Sequence, residues 1–500
     1  MFKMFVRISA CVALALSFFL SSAARAQDVV FTISSVKDFQ SKVSAVAGRI
    51  NPTYPLLVNL GLGQASALGI DMTQPIAVYA DLKDNDFAVA VFVPVKSQKL
   101  FDASIESLKD KGVIPSDAEV VSQDGYSILL INREWSGSIP KFDTPKTLNL
   151  KAKPAAFIPI LEQVQLNMSE DESANMEKVK QFLKQMDTFT LTLDASEDGD
   201  VEIGFTSKPF AGTEIAENYI HSEQLTKTRL GGFFDPDAPV SAQGLSAFDP
   251  NNRRDFVEML TAITKDIPED LEGLLDVVLK ATDVKKWDFA LSFYPDKVGF
   301  YGFMAMGIAN GDLVNDTIVQ AIEKIDPNDP NIQGKANAGQ IGEKIKVHEL
   351  TLSFGDSTKK VAVAVHPKYL FVAVAPIGTS AVTYLNRVFK EKGIEPTKVK
   401  KNFVGHFNME IVAPFIKEVK PNADIDFNGE ANATGEFSDG VSNFKIKIDG
   451  DLIETSAQIY NVLNGEDEDD DDDDDIFGDD DDDTTEAIAA PGDDDDDDDI

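Results

Sequence analysis

Five times along this chain, a stretch of alternating apolar residues is followed by a short polar turn, a second alternating stretch and then residues at helical spacing. In the first unit, 75–112, Ile76, Val78 and Ala80 alternate, residues 83–86 turn, and Phe87, Val89, Val91 and Val93 alternate back. Leu100, Phe101, Ile105 and Leu108 then share one helix face. The second unit, 187–221, sets Phe189, Leu191 and Leu193 against Val201, Ile203 and Phe205 across an acidic turn. The third, 286–325, pairs Phe289, Leu291 and Phe293 with Val298 and Phe300, ahead of Val314, Ile318, Ile322 and Ile325. In the fourth, 359–393, Val361, Val363 and Val365 face Leu370, Val372 and Val374, and Val382, Leu385, Val388 and Phe389 mark the helix. A weaker fifth, 433–463, turns at Asp439 and Gly440 and returns through Phe444, Ile446 and Ile448 to a helix with Ile453, Ala457 and Tyr460. A period of two puts one face of each strand on a core, and the switch to helical spacing supplies the element that covers it. The pattern predicts an α+β fold of antiparallel sheets covered by helices.

The units recur unevenly, whereas a solenoid keeps a fixed period. About 440 residues of body exceed what one compact core usually holds. Helical stretches at 154–186 and 251–282 precede the second and third units, and Phe234, Asp235, Pro236, Asp237, Ala238 and Pro239 break the periodicity. These features predict two related lobes, 27–235 and 236–465, between a signal peptide, 1–26, and an acidic tail, 466–500. The opening strand and helix, the Gly69, Ile70, Asp71, Gln74 and Pro75 lead into the first hairpin, and the recurring units resemble a class of large exported bacterial proteins of unknown function. The resemblance is one of architecture over most of the body. It implies the fold and transfers no catalytic residue.

Lys3 and Arg7 precede the apolar run from Ile8 to Leu20, and Ala24, Arg25 and Ala26 close with an A-x-A pattern. This is the layout of a Sec-type signal peptide cleaved after Ala26, and the run is shorter than the ~20 residues that span a bilayer. Ile8, Ser9, Ala10 and Cys11 resemble a lipoprotein box, but the apolar stretch follows the cysteine instead of leading to it. Cys11 is the one cysteine of the chain, so processing at Ala26 leaves no disulfide, cysteine ligand or thiol nucleophile. The expectation is an exported bacterial protein, periplasmic or extracellular, stabilised by its core and without a transmembrane segment.

The formal net charge is −38, or −41 without Lys3, Arg7 and Arg25. Residues 466–500 hold 23 acidic side chains and no Lys or Arg, which leaves −18 on residues 27–465. That body has no basic stripe to displace counterions from phosphate, which argues against nucleic acid as a partner. The tail cannot bury apolar surface and is expected to be disordered. Its candidate cation ligands begin with Asp469, Asp470, Asp471, Asp472, Asp473, Asp474 and Asp475. A second run is Asp479, Asp480, Asp481, Asp482 and Asp483, and a third is Asp493, Asp494, Asp495, Asp496, Asp497, Asp498 and Asp499. Calcium accepts six to eight oxygens in flexible geometry, so such runs can share ions loosely, at the entropic cost of ordering the chain. No cofactor is required. The same composition suits a solubilising brush, or an acidic arm for a basic protein or cell-surface partner. Ile476, Phe477 and Gly478, and later Ala487 to Pro491, interrupt the acid with short apolar spots.

Catalytic signatures do not assemble. Gly244, Leu245, Ser246, Ala247 and Phe248 miss the last glycine of a nucleophile elbow. Ser34 and Lys37, and Ser357 and Lys360, have Ser-x-x-Lys spacing without partner motifs; Ser34 reads as the cap of a helix starting near Val36, and Ser357 as a turn residue. His221, His348, His366 and His406 are mutually distant, and His348 and Glu349 begin like a zincin helix with Leu352 in place of the second histidine. Gly61 to Gly69 lacks the Lys of a phosphate loop and reads as a flexible connection between helices. Asp194 to Asp200 resembles half a calcium loop, but Phe205 stands where a bidentate Glu belongs, so a hairpin turn is expected. Residues 326–331 and 249–252 read as turns, and Trp135 and Trp287 as core or interface residues. The 61 acidic body residues are too many for any pair to stand out as a glycosidase dyad. The leading expectation is a non-enzymatic binding or structural protein whose tail holds divalent cations or a basic surface. The alternative is an exported hydrolase with a site of dispersed residues between the lobes.

Overall fold

In the computed structural model, which describes residues 28–464 apart from 84–85, 133–138, 141, 143–145, 166–169, 248–285, 298, 343–344 and 355–356, the alternating segments are strands and the helically spaced ones helices. The order opens with β1 (Val29–Ile33), α1 (Val36–Ile50), α2 (Tyr54–Ala67), β2 (Ile76–Lys83), β3 (Asp86–Pro94), α3 (Gln98–Asp110), β4 (Glu119–Gln123) and β5 (Tyr126–Ile131). Next come β6 (Leu148–Ala152), α4 (Ile158–Gln165), α5 (Glu170–Lys184), β7 (Met186–Ala195), β8 (Val201–Pro209), α6 (Glu214–Gln224) and β9 (Lys227–Thr228). They are followed by β10 (Val240–Ala247), β11 (Lys286–Pro295), β12 (Phe300–Gly307), α7 (Gly311–Lys324), β13 (Ile332–Ile341), β14 (Ile345–Phe354), β15 (Ser357–His366), β16 (Tyr369–Val374) and α8 (Ala381–Lys392). The described chain ends with β17 (Thr397–Lys398), β18 (Phe403–Asn408), α9 (Ala413–Val419), β19 (Glu430–Ser438), β20 (Val441–Ile448) and α10 (Gly450–Asn464).

Two local expectations are corrected. Ser35, not Ser34, caps α1: its Oγ accepts from the Asp38 amide at 3.0 Å, while Ser34 donates to the Asp38 carboxylate. Residues 61–67 are no connection but the second half of α2, because the surrounding Leu and Ala outweigh the weak helix propensity of Gly61 and Gly63. The chain turns only at Gly69, at φ +85°. His348, whose zincin-like start already lacked the second histidine, lies on strand β14. The helical stretch before the second unit stops at Lys184, and Met186 already begins a strand; its counterpart at 251–282 lies outside the described residues, as does the turn at 249–252.

Among the described residues, eighteen strands form one sheet, every pair antiparallel. Their hydrogen-bonded order is β4-β5-β3-β2-β1-β6-β7-β8-β20-β19-β18-β10-β11-β12-β16-β15-β14-β13. Strands at ~4.8 Å spacing make this sheet ~80 Å wide along its hydrogen bonds. β9 and β17 form a separate two-stranded ribbon. Where the turn chemistry demands it, the backbone obliges: Asp439 and Gly440 both have positive φ, as do Asp124 and Gly125, giving the two-residue turns that match strand twist.

Cores sit at the two ends of the sheet, on both faces. At one end, Val29, Val78, Val89, Leu129 and Ile131 pack on one face, with Phe101 and Ile105 of α3 nearby. The opposite face there holds Tyr79, Phe92, Ile128 and Leu130, with Phe142 edge-on to Tyr79 and Phe92. At the other end, α7 seals Leu350, Val361, Val365 and Leu370 with Val314, Ile318 and Ile322. The opposite face holds Phe233, Phe303 and Phe371 under Tyr384, Leu385 and Val388 of α8. Leu230, Phe233 and Ala238 are fully buried, so the Pro- and Asp-rich segment packs firmly on this second core.

Candidate binding face

Direct cross-strand partners share a face, so the register defines rows of side chains. One row runs Val120, Leu129, Val91, Val78, Phe31, Leu150, Leu191, Phe205, Phe444, Gly435, Phe403, Gly244, Phe289, Met306, Leu370 and Val365 before it meets Lys346. Sixteen strands contribute to it before a polar side chain appears. A parallel row, Leu148, Leu193, Ile203, Ile446, Ala433, Gly405, Ala242 and Leu291, lies beside it in the middle of the sheet.

The ends of this face are sealed, and its middle is only partly covered, by α5 beside Phe189 and by α6, whose Tyr219 packs on Phe437 at 5.0 Å. The central strands β6, β7, β8, β20, β19 and β18 give no fully buried side chain to any of the core clusters. Leu191 and Phe205 are each 38% exposed, and Val179 and Phe182 of α5 are exposed beside them. A single exposed leucine needs no explanation, but a contiguous apolar surface marks a site of interaction. Rings line it at short intervals: Phe182 to Phe189 at 6.1 Å, Phe189 to Phe205 at 5.5 Å, Phe444 to Phe403 at 5.7 Å and Phe403 to Phe289 at 6.5 Å. Two glycines make room for them. A Cβ on Gly244 would meet the Phe289 ring at 2.2 Å, and one on Gly435 would stand 3.2–3.3 Å from Phe403 and Phe444. On the serine side of the row, Ser207 hydrogen-bonds the Tyr219 hydroxyl at 2.8 Å.

The reverse face of the same strands is polar. Thr190, Thr192, Asp194, Glu202, Thr206, Asn443 and Lys445 occupy it. Lys146 bridges Asp194 at 3.2 Å and Glu202 at 2.8 Å, Lys42 reaches Asp194 at 3.3 Å and Lys445 reaches Glu202 at 3.2 Å. Partial burial alone would raise the Asp194 carboxyl, but hydrogen bonds from Thr147, Lys146 and Lys42 outweigh it and bring it to about 2. Hydrogen bonding to Lys146 likewise lowers Glu202. These charges are consumed by one another, which leaves the apolar face as the surface with unspent interaction energy.

The residues singled out as candidates do not converge. Asp194 to Asp200 is the β7–β8 hairpin: the Ser196 hydroxyl accepts from the Asp198 and Asp200 amides, and Asp200 accepts from the Gly450 amide at 3.1 Å. Residues 326–331 form turns in which Asp326 and Asp329 accept from the amides two residues on. His366 ends β15 and stacks on Tyr369, His406 meets Asn432 at 3.1 Å, and His221 lies exposed on α6. Trp287 packs edge-on to Phe289, while Trp135, residues 1–27 and every tail aspartate lie outside the described residues. Among the described residues no three His, Cys, Asp or Glu side chains gather as a metal site, and no helix is long and apolar enough to cross a membrane. Compared with known proteins, the chain matches no family model, no curated protein and no solved structure.

Proposed function

We propose that this is a non-enzymatic binding protein, built from two related lobes, that holds the extended hydrocarbon chain of an amphiphile along the apolar middle of its sheet. The observation that carries this reading is the apolar row left half-exposed across six central strands, ~24 Å by strand spacing. A long, ring-lined floor without a charged side chain suits a hydrocarbon chain.

The strand order supports the duplication. Reading outward from the β8–β20 pair, one half runs β8, β7, β6, β1, β2, β3, β5, β4 and the other β20, β19, β18, β10, β11, β12, β16, β15, with β14 and β13 added at the far edge. Each half also follows the same chain order, so a single ancestral lobe joined to its copy through β8 and β20 accounts for both. The proposed face lies at that join. Export and the cation-binding tail complete the reading: a carrier outside the cytoplasm whose acidic arm collects calcium loosely or engages a basic partner.

Titration with a fluorescent long-chain fatty acid tests the central claim. The wild-type protein is expected to bind it saturably, and Phe205→Asp with Phe444→Asp to weaken binding at least about tenfold, a loss of ~1.4 kcal/mol. Equal binding by wild type and double variant would refute the assignment of the face.

A further inference from the structure

A short two-stranded ribbon of the acidic body gathers basic side chains. In the two-stranded ribbon, Lys227 and Lys398 stand directly opposite one another, with Thr228 opposite Thr397. Like charges in a direct cross-strand pair destabilise it, so the arrangement persists only if something else holds the ribbon or neutralises it. The ribbon is held: Thr228 is fully buried and hydrogen-bonds Asp288, and Thr397 packs on Gly231 beside the buried Leu230 and Phe233. Arg229 and Lys400, one and two residues along from it, are exposed, and among the described residues neither of these, nor Lys227 or Lys398, lies in an ion pair. Of the carboxylates beside the ribbon, Asp288 is engaged with Lys286 and Thr228, while Glu395 stands exposed two residues before Thr397.

We infer that this ribbon is the docking site of the chain's own C-terminal segment, 466–500. Charge complementarity argues for it, since that segment holds 23 carboxylates and no cation while residues 27–465 as a whole carry −18. Reach allows it. The segment follows α10, which ends at Asn464, and a flexible chain of 36 residues would have a root-mean-square span of ~33 Å and a contour of ~120 Å, beyond the ~80 Å width of the sheet. Tethering also raises the local concentration of the acidic runs far above that of any second molecule in dilute solution.

The test is carbodiimide cross-linking of the full-length protein at low ionic strength, using an equal mixture of isotopically light and heavy chains, read by mass spectrometry. The expected result is amide links from tail carboxylates to Lys227, Lys398 and Lys400 within single chains, falling about tenfold in 0.5 M salt as the contact is screened. A Lys227→Gln, Lys398→Gln, Lys400→Gln variant with unchanged thermal unfolding should lose the tail links to the ribbon without gaining them elsewhere. Links spread over exposed lysines generally, or mixed light–heavy links in the majority, would overturn the inference, the latter in favour of a second copy as the occupant.

Discussion

At the scale of single residues, His348 is the clearest case of a side chain whose type suggested chemistry and whose surroundings assign it a structural job. It is fully buried; its Nδ1 accepts from the Asn337 amide at 3.2 Å, which places the proton on Nε2, donated to the Asn315 Oδ1 at 3.1 Å. Asn337 itself has φ +52° in the bulged part of β13, so the imidazole ties an irregular edge strand to α7. Burial, with Lys346 adding to it, lowers the His348 pKa below the ordinary 6.5. The unfolded chain therefore takes up a proton first as pH falls. The stability contributed by neutral His348 is complete above about pH 6.5 and is lost as pH falls through the lower folded value. Urea midpoints measured from pH 7.5 to 4.5 are expected to drop in the wild type, and a His348→Gln variant should start lower and show a shallower drop. None of this was legible in the sequence, where His348 and Glu349 look alike in promise. A period-two strand puts the first inward and the second on the opposite face, and only the register says which is which.

Among elements, the hairpins and the helices after them could be read directly, because alternation followed by helical spacing is a local signal. The β4–β5 hairpin was missed although Asp124 and Gly125 are a strong turn pair, since β4 mixes Glu, Ser and Gln with two valines. Contacts between distant elements were not readable at all. Arg49 at the end of α1 donates twice to the Asp198 carbonyl in the β7–β8 turn, at 3.0 and 3.1 Å, and to Asp451 and Glu454 of α10, both at 2.9 Å. One guanidinium thus joins a helix, a turn and the last helix of the described chain, more than 400 residues downstream. Its side chain is 34% exposed, so screening discounts the carboxylate pairs and most of the effect rests on the two bonds to the carbonyl. Arg49→Met is expected to cost about 1–2 kcal/mol in urea unfolding, and amide exchange should rise in α10 more than in either end core. A loss spread evenly over the sheet would count against Arg49 as a local clamp.

Across the whole molecule, what escaped sequence reading is continuity. The local pattern announces sheets but not that eighteen strands join into one, since β8 and β20 meet only when segments some 240 residues apart in the chain pair. The apolar face was hidden for the same reason: Phe205, Phe403 and Phe444 each look like ordinary core residues within their own hairpins, and they become a surface when the central strands align. The tail stands apart from this architecture in composition, and its behaviour toward cations can be tested separately from the face. Charge neutralisation of its 23 carboxylates takes about a dozen divalent ions, each held weakly because the coordinating chain has to be ordered around it. Calorimetric titration with calcium should therefore show many weak sites in the full-length protein and lose most of the heat in a chain ending at Gly465. If the tail also lies on the Lys227 and Lys398 ribbon, calcium and the ribbon compete for the same carboxylates. Raising the calcium concentration should then reduce the lysine cross-links in parallel with the heat, whereas equal heats from both chains would remove the tail as a cation site and leave the competition without a basis.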